Sequence, residues 1–229
     1  MKSNYKQRLD QAIVLGKEHM KESVDPMHNY THAKNVCNMG LKIYEELKRN
    51  HEPGILKINK ELVEIAAWWH DCFKATQNKP SLMNEIFEGP RSSELVRKKL
   101  GPYLNKTDMK IVTDAITNHS GFGTLIYLLR PRSFSPLFKI LIESDAYDIL
   151  NIDRKKHFIS QLTRRIPMSL VFIELTCPIP LPLYLRTKIA RKNLYARMLA
   201  FYRFMLWKDW QIIRLLFPTK RKQLSLPGT

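Results

Sequence analysis

Apolar residues recur along this chain at intervals of three and four rather than two. In "YKQRLDQAIVLGKEHM" (5–20) the spacing is carried by Leu9, Ile13 and Leu15/Gly16. In "HAKNVCNMGLKIYEELKR" (32–49) it is carried by Val36, Met39/Gly40, Ile43 and Leu47, and in "NKELVEIAAWWHD" (59–71) by Leu62, Ile65, Ala66 and Trp69. Such spacing places apolar side chains on one face of a helix with 3.6 residues per turn. "SSELVRKKLG" (92–101) opens on serine and closes on glycine, and Thr107 reads as the N-cap of "NKTDMKIVTDAITNH" (105–119). Strand-type alternation with Asn-Gly or Asp-Gly turns is absent. The pattern predicts an all-α fold. Its loops are "RNHEPGILKINK" (49–60), "TQNKPSLMNEIFEGP" (76–90) and "RPRSFSP" (130–136), each marked by proline or glycine.

Length and composition narrow the class. A chain of 229 residues buries a sizeable core without a disulfide or metal staple. Cys37, Cys72 and Cys177 are odd in number and lie far apart, so neither a disulfide framework nor a zinc ribbon is suggested. The start "MKSNYKQRLD" lacks the apolar core of a signal peptide, so the expectation is a complete, cytoplasmic chain. "MSLVFIELTCPIPLPLYL" (168–185) is long enough for a membrane span but carries Glu174 and three prolines, and reads as a buried or interfacial loop with no transmembrane segment.

The net charge of +17 is unevenly placed: from residue 151 onward sixteen Lys/Arg face three Asp/Glu, leaving +13 there and +4 on the rest. Between 184 and 217 these cations interleave with tyrosine, phenylalanine and tryptophan. One reading is a core-packing helix with a basic outer face, its stripe formed by Leu185, Ile189, Met198, Tyr202, Met205 and Trp210. The other is a surface for nucleic-acid phosphates or an anionic membrane.

Candidate chemistry enters at "AAWWHDCFK" (66–74), where an apolar helix runs into His70 and Asp71. The two side chains point about 100° apart around the axis, yet both reach an ion seated just beyond the helix end. "HNYTHAKNV" (28–36) puts His28 and His32 four residues apart, on one face if the helix covers both. In "LFKILIESDAYDIL" (137–150), Asp145 sits among Leu141, Ile142 and Ile149. An unpartnered aspartate there costs several kcal/mol of desolvation, on the order of a buried ion's penalty, and a metal supplies the partner.

These residues resemble the signature of the HD-domain phosphohydrolases: a histidine on one helix, a His-Asp doublet on a later one, and an aspartate well beyond, here His32, His70 with Asp71, and Asp145. "HDCFK" is similar to the family's His-Asp-x-Gly-Lys form, with Phe73 in place of glycine and Lys74 kept. "ITNHSG" and "ESDAYDIL" resemble its later helices, and the likeness covers residues 20–155. "LRTKIARKNLYARMLAFYRF" (185–204) is weakly similar to the terminal helix of one branch.

The resemblance implies an HD-like helical bundle over 1–160 with a basic, aromatic-rich helical extension over 161–229 packed on it. It implies a metal-dependent phosphohydrolase whose ligands are His32, His70, Asp71 and Asp145, with Asp71 and Lys74 in catalysis. Two imidazoles and two carboxylates leave positions open on one divalent ion, and a mixed N/O set accepts Mn, Fe, Ni, Co or Mg. The ion supplies an activated water for attack on phosphorus. Lys74, Arg91, His119 and His28 are the candidates for holding a small phosphorylated substrate such as a nucleotide. Each has an ordinary alternative: a solvated lysine, a helix-start arginine, a capping histidine and, for His28, a residue without special duty. Binuclear branches carry more histidines between the doublet and the last aspartate, where this chain has only His119, so a single ion is expected. The Glu-Asp pair of alarmone hydrolases and the Gly-Tyr-Pro motif of cyclic dinucleotide phosphodiesterases are missing. The competing expectation is a catalytically weak HD-like module that binds nucleic acid or an anionic membrane through its basic part.

Overall fold

The computed structural model describes residues 2–25, 27–77, 82–120, 134–154 and 181–216, with residues 127, 129, 156 and 179 besides. Its regular elements are α1 (Lys2–Lys21), α2 (Tyr30–Arg49), α3 (Lys60–Trp69), α4 (Leu82–Leu100), α5 (Lys106–Asn118), α6 (Pro136–Ile149), α7 (Leu181–Tyr184), α8 (Lys188–Arg191) and α9 (Leu194–Leu216). All are helices, and no strand occurs among the described residues.

Side-chain caps set where the helices begin. Asn29 accepts from the Thr31 and His32 N–H groups, Asn59 from Leu62, Asn105 from Asp108 and Ser135 from Phe138. Each satisfies an orphan donor of the first turn and contributes about 1 kcal/mol. The cap of α5 is therefore Asn105 rather than Thr107, which lies inside the first turn. Likewise Asn29 starts α2 after His28, so His28 and His32 do not share a helix face. The expected loop at 76–90 is helical from Leu82, with Pro90 inside α4. The helix reaches back past the proline because its neighbouring N–H is served from outside: Gly89 N donates to Ser120 Oγ at 3.2 Å.

The core lies where α2, α3 and α6 meet, with Ile43, Ile65 and Ile140 almost wholly buried. α1 covers α3, where Trp69 Nε1 donates to Ala12 O at 3.0 Å and His19 stacks on the Trp69 ring. The approach needs Gly16, since a Cβ there would lie 2.6 Å from Trp69 Nε1. α4 packs on α5 through Gly89, whose Cβ would lie 2.4 Å from Thr117 O.

The C-terminal part is broken into α7, α8 and α9 rather than one helix from 184, and the break between α8 and α9 falls at Asn193, which takes a left-handed φ of 58°. It docks through two buried glutamates. Glu46 accepts from Lys188 N (2.7 Å) and Ile189 N (2.8 Å), and Glu143 from Thr187 N (3.0 Å) and Thr187 Oγ1 (2.7 Å). Leu185 and Met205 of the expected stripe are buried, Ile189, Met198 and Tyr202 partly so, and the Trp210 side chain lies outside the described residues. Leu181, Ala190, Leu194 and Phe201 complete the buried face. No described helix is long and apolar enough to cross a membrane. Of the stretch 168–185, residues 168–178 and 180 lie outside the described residues.

Candidate metal centre

Three elements bring the signature residues together. His32 stands in the first turn of α2, fixed by the Asn29 cap. His70 closes α3 as its C-cap and Asp71 begins the turn that follows. Asp145 projects from α6. His32 Nε2 lies 3.2 Å from His70 Nε2, and Asp71 Oδ2 lies 3.0 Å from the first and 3.1 Å from the second. Asp145 Oδ1 stands 3.4 Å and 3.9 Å from the same two nitrogens. The histidines and Asp71 are buried, whereas the Asp145 side chain is 26% exposed, so the cluster opens to solvent on the α6 side.

The other ring nitrogens decide what these atoms are. His32 Nδ1 faces Asp148 Oδ2 at 2.7 Å, and His70 Nδ1 faces the Ala67 carbonyl at 2.8 Å. Both partners are acceptors, so each Nδ1 carries the hydrogen and donates, and in the neutral ring Nε2 presents a lone pair. With both rings neutral, two imidazole lone pairs and Asp71 Oδ2 then converge, with Asp145 Oδ1 alongside the histidines, an arrangement that calls for a cation. The donor set and its outer hydrogen bonds fit a divalent metal ion, with His32, His70 and Asp71 close enough to share one. Asp148 is itself held, its Oδ1 accepting from Asn35 Nδ2 and Asn151 Nδ2 at 3.0 Å each.

A second group adjoins the first. Asp71, Glu88 and His119, all buried, also lie close enough to hold an ion together. His119 caps α5 and donates Nδ1–H to the Ile116 carbonyl, leaving Nε2 at 3.6 Å from Asp71 Oδ1 and 4.0 Å from Glu88 Oε1. Lys74, 6% exposed, places Nζ 2.9 Å from Glu88 Oε2 and 3.2 Å from His28 Nε2. His28 Nδ1 in turn lies 3.1 Å from Asp25 Oδ2.

Electrostatics follow the same geometry. Burial works to raise the pKa of Asp71, but the His70 and His28 rings in their protonated form, with hydrogen bonds to Glu88 and His119, hold it well below the carboxylate range. Burial is likewise outweighed at Asp145 by His70 and His32, and at Asp148 by its bond to His32 and by Arg154. These carboxylates are charged at neutral pH.

No family model, curated protein or solved structure matches this chain.

The remaining candidates are placed as follows. Arg91 is exposed on α4, with its guanidinium carbon 5.0 Å from the centre of the Phe73 ring. His119 both caps α5 and faces the site. His28 sits at the rim, between Asp25 and Lys74. Sequence reasoning missed Glu88 and Asp148. Asp148 had a signal, a second aspartate three residues after Asp145 and hence on the same helix face. Glu88, in "FEGP", had none, because its segment read as a loop.

Proposed function

We propose that this chain is a metal-dependent phosphohydrolase of the HD-domain type, acting on a nucleotide or another small phosphate ester. The observation that carries the reading is the convergence of His32 Nε2, His70 Nε2 and Asp71 Oδ2, with Asp145 Oδ1 beside the two imidazoles and both Nδ1 atoms engaged from behind. Those four residues would hold the ion. When bound, it supplies Lewis acidity toward a phosphoryl oxygen and a nucleophile at neutral pH.

The chain's own residues do the rest. Asp71, buried beside the two histidines, would hold the ion through Oδ2 and is the carboxylate placed to take up the proton of an attacking water. Asp145 lies at the open side, where a substrate enters. Arg91, exposed and planar against the Phe73 ring, would offer a bidentate guanidinium to a phosphate. The buried walls formed by His32, His70 and Asp71 keep bulk water from the reacting centre.

The test is a hydrolysis screen of the purified full chain supplemented with Mn²⁺, Ni²⁺, Co²⁺ or Mg²⁺, over nucleoside mono-, di- and triphosphates, cyclic nucleotides and a generic phosphate ester. Metal-stimulated turnover that is lost in Asp71→Ala, with the helical CD spectrum intact, is expected. Turnover that survives in Asp71→Ala would overturn the assignment.

A second reading concerns the C-terminal part. Tyr195, Leu199 and Trp207 are large, exposed and spaced along one side of α9, with Lys192 and Arg203 exposed nearby. Apolar side chains among cations are what an anionic membrane or single-stranded nucleic acid engages. On this reading the chain is a binding module, with or without turnover.

A further inference from the structure

We propose that the cavity bounded by α2, α6 and α9 binds a small organic oxyanion, a phosphate or carboxylate carried on an apolar body, at a site separate from the metal centre. The cavity has a volume of about 500 Å³, within the range of small-molecule sites. None of His32, His70, Asp71 and Asp145 lines it. Asp148 is common to both places, since it lines the cavity and meets His32 Nδ1 at 2.7 Å.

Two cations face this space from different helices. Lys42 is exposed on α2, and no described residue pairs with its ammonium. Arg197 comes from α9 and is held in place: its guanidinium carbon lies 3.5 Å from the centre of the Tyr147 ring, and Nη2 donates to the Tyr147 carbonyl at 2.7 Å. Its Nη1 is buried without a hydrogen-bond partner. Desolvation lowers the pKa of this group, although Tyr147 and Asp148 favour its charged form. A fixed guanidinium with an unspent donor and little access to water gains from an arriving oxyanion, and its geometry needs no reordering to receive one.

The one carboxylate among the described lining residues is already engaged. Asp148 Oδ1 accepts from Asn35 and Asn151 at 3.0 Å each, and Oδ2 faces His32 at 2.7 Å and Arg154 at 3.8 Å. A cationic ligand therefore finds two like charges and a carboxylate whose oxygens are taken. Met39, Leu150 and Ile152 add an apolar wall, which suits a ligand with an apolar body rather than a bare ion. Asn38 and Ala200 line the cavity from exposed positions on α2 and α9, so the space is reached from solvent.

The experiment titrates the purified full chain in EDTA with phenylphosphonate, phenylacetate and neutral benzamide, by isothermal calorimetry. Working without divalent ions makes the result independent of the metal reading, so either can fail alone. One equivalent of phenylphosphonate or phenylacetate is expected to bind, with benzamide at least about 10-fold weaker, and the tighter anion identifies the head group. Lys42→Gln should weaken that binding about 10-fold, and Ala200→Trp, which fills the cavity from α9, should abolish it. Arg91→Ala should leave it unchanged. No binding of either anion by wild type overturns the inference, as does benzamide binding equally well. Wild-type affinity in Lys42→Gln or in Ala200→Trp, or an equal loss in Arg91→Ala, overturns it too. Both cavity positions are exposed, so the helical CD spectrum should persist; should Ala200→Trp lose it, Asn38→Trp is read the same way.

Discussion

At the scale of single residues, the partner behind a ligand matters as much as the ligand. Asp148 touches no point of convergence, yet it fixes the His32 tautomer through the 2.7 Å bond to Nδ1. Asp148→Asn keeps the shape but offers His32 an amide that can present N–H in place of an acceptor. We expect Mn²⁺ affinity to fall by roughly 10- to 100-fold with the helical fold retained, read by isothermal titration. An unchanged affinity would show that His32 needs no orienting partner. Arg91 makes the opposite kind of test. Its side chain is exposed and lies over the Phe73 ring. Arg91→Ala should therefore leave metal content as in wild type and raise KM for the best phosphate ester by about 10-fold, the value of one charge-assisted contact. Wild-type kinetics in this variant would remove Arg91 from substrate binding.

At the scale of elements, the Glu88 and His119 side of the site depends on the approach of α4 to α5, which a glycine sets. Gly89 brings α4 against α5, and with it Glu88 toward His119. A Cβ at 89 would meet the carbonyl oxygens of Thr117 at 2.4 Å and Ile116 at 2.8 Å, both main-chain atoms that no rotamer change can move. Gly89→Ala should lower stability by about 1–3 kcal/mol, seen as a reduced urea midpoint at unchanged m. The same helix shows why an element was misjudged. Gly89-Pro90 is a fair turn signal, and what overrides it is Ser120, over thirty residues away, accepting the N–H beside the proline. The α2 and α3 periodicity, in contrast, was decisive, because those helices bury one stripe each in the common core.

At the scale of the molecule, the basic C-terminal part is held by acids. Glu143 is 2% exposed, and burial raises its pKa above the ordinary 4.5 despite the donors of Thr187. A carboxyl whose folded pKa lies above its unfolded value stabilises the fold at low pH, and that contribution is lost as pH rises from about 4.5 through the raised value. Glu143→Gln keeps an oxygen for Thr187 without the ionisation. The variant should melt above wild type at pH 7, and the gap should close toward pH 4, as read by thermal CD. A constant gap across that range would mean Glu143 does not titrate with folding. The basic face yields a separate expectation. Lys192→Gln/Arg203→Gln should weaken binding to anionic vesicles or single-stranded DNA, with a shallower salt dependence, if α9 presents a docking surface. Arg197 is unsuited to that test, since its Nη2 donates to the Tyr147 carbonyl at 2.7 Å and its removal would disturb packing.

The amino-acid order by itself determined the helical class and the ligand candidates, because both are local signals: a 3.6-residue apolar period and ligand-type residues where such periods begin, end or are interrupted. His32, His70, Asp71 and Asp145 stood out as candidates for that reason, and the first three lie close enough to share an ion. Only the tertiary structure decided which of their neighbours complete the site. Glu88, Lys74 and Asp148 matter through distances to residues 14 to 116 positions away, set by how α4 lies on α5 and α6 on α2. A one-dimensional pattern can mark a side chain as polar. Whether that chain meets a proton, an ammonium or a lone pair depends on packing, which brings remote backbone together and leaves each buried charge needing its complement.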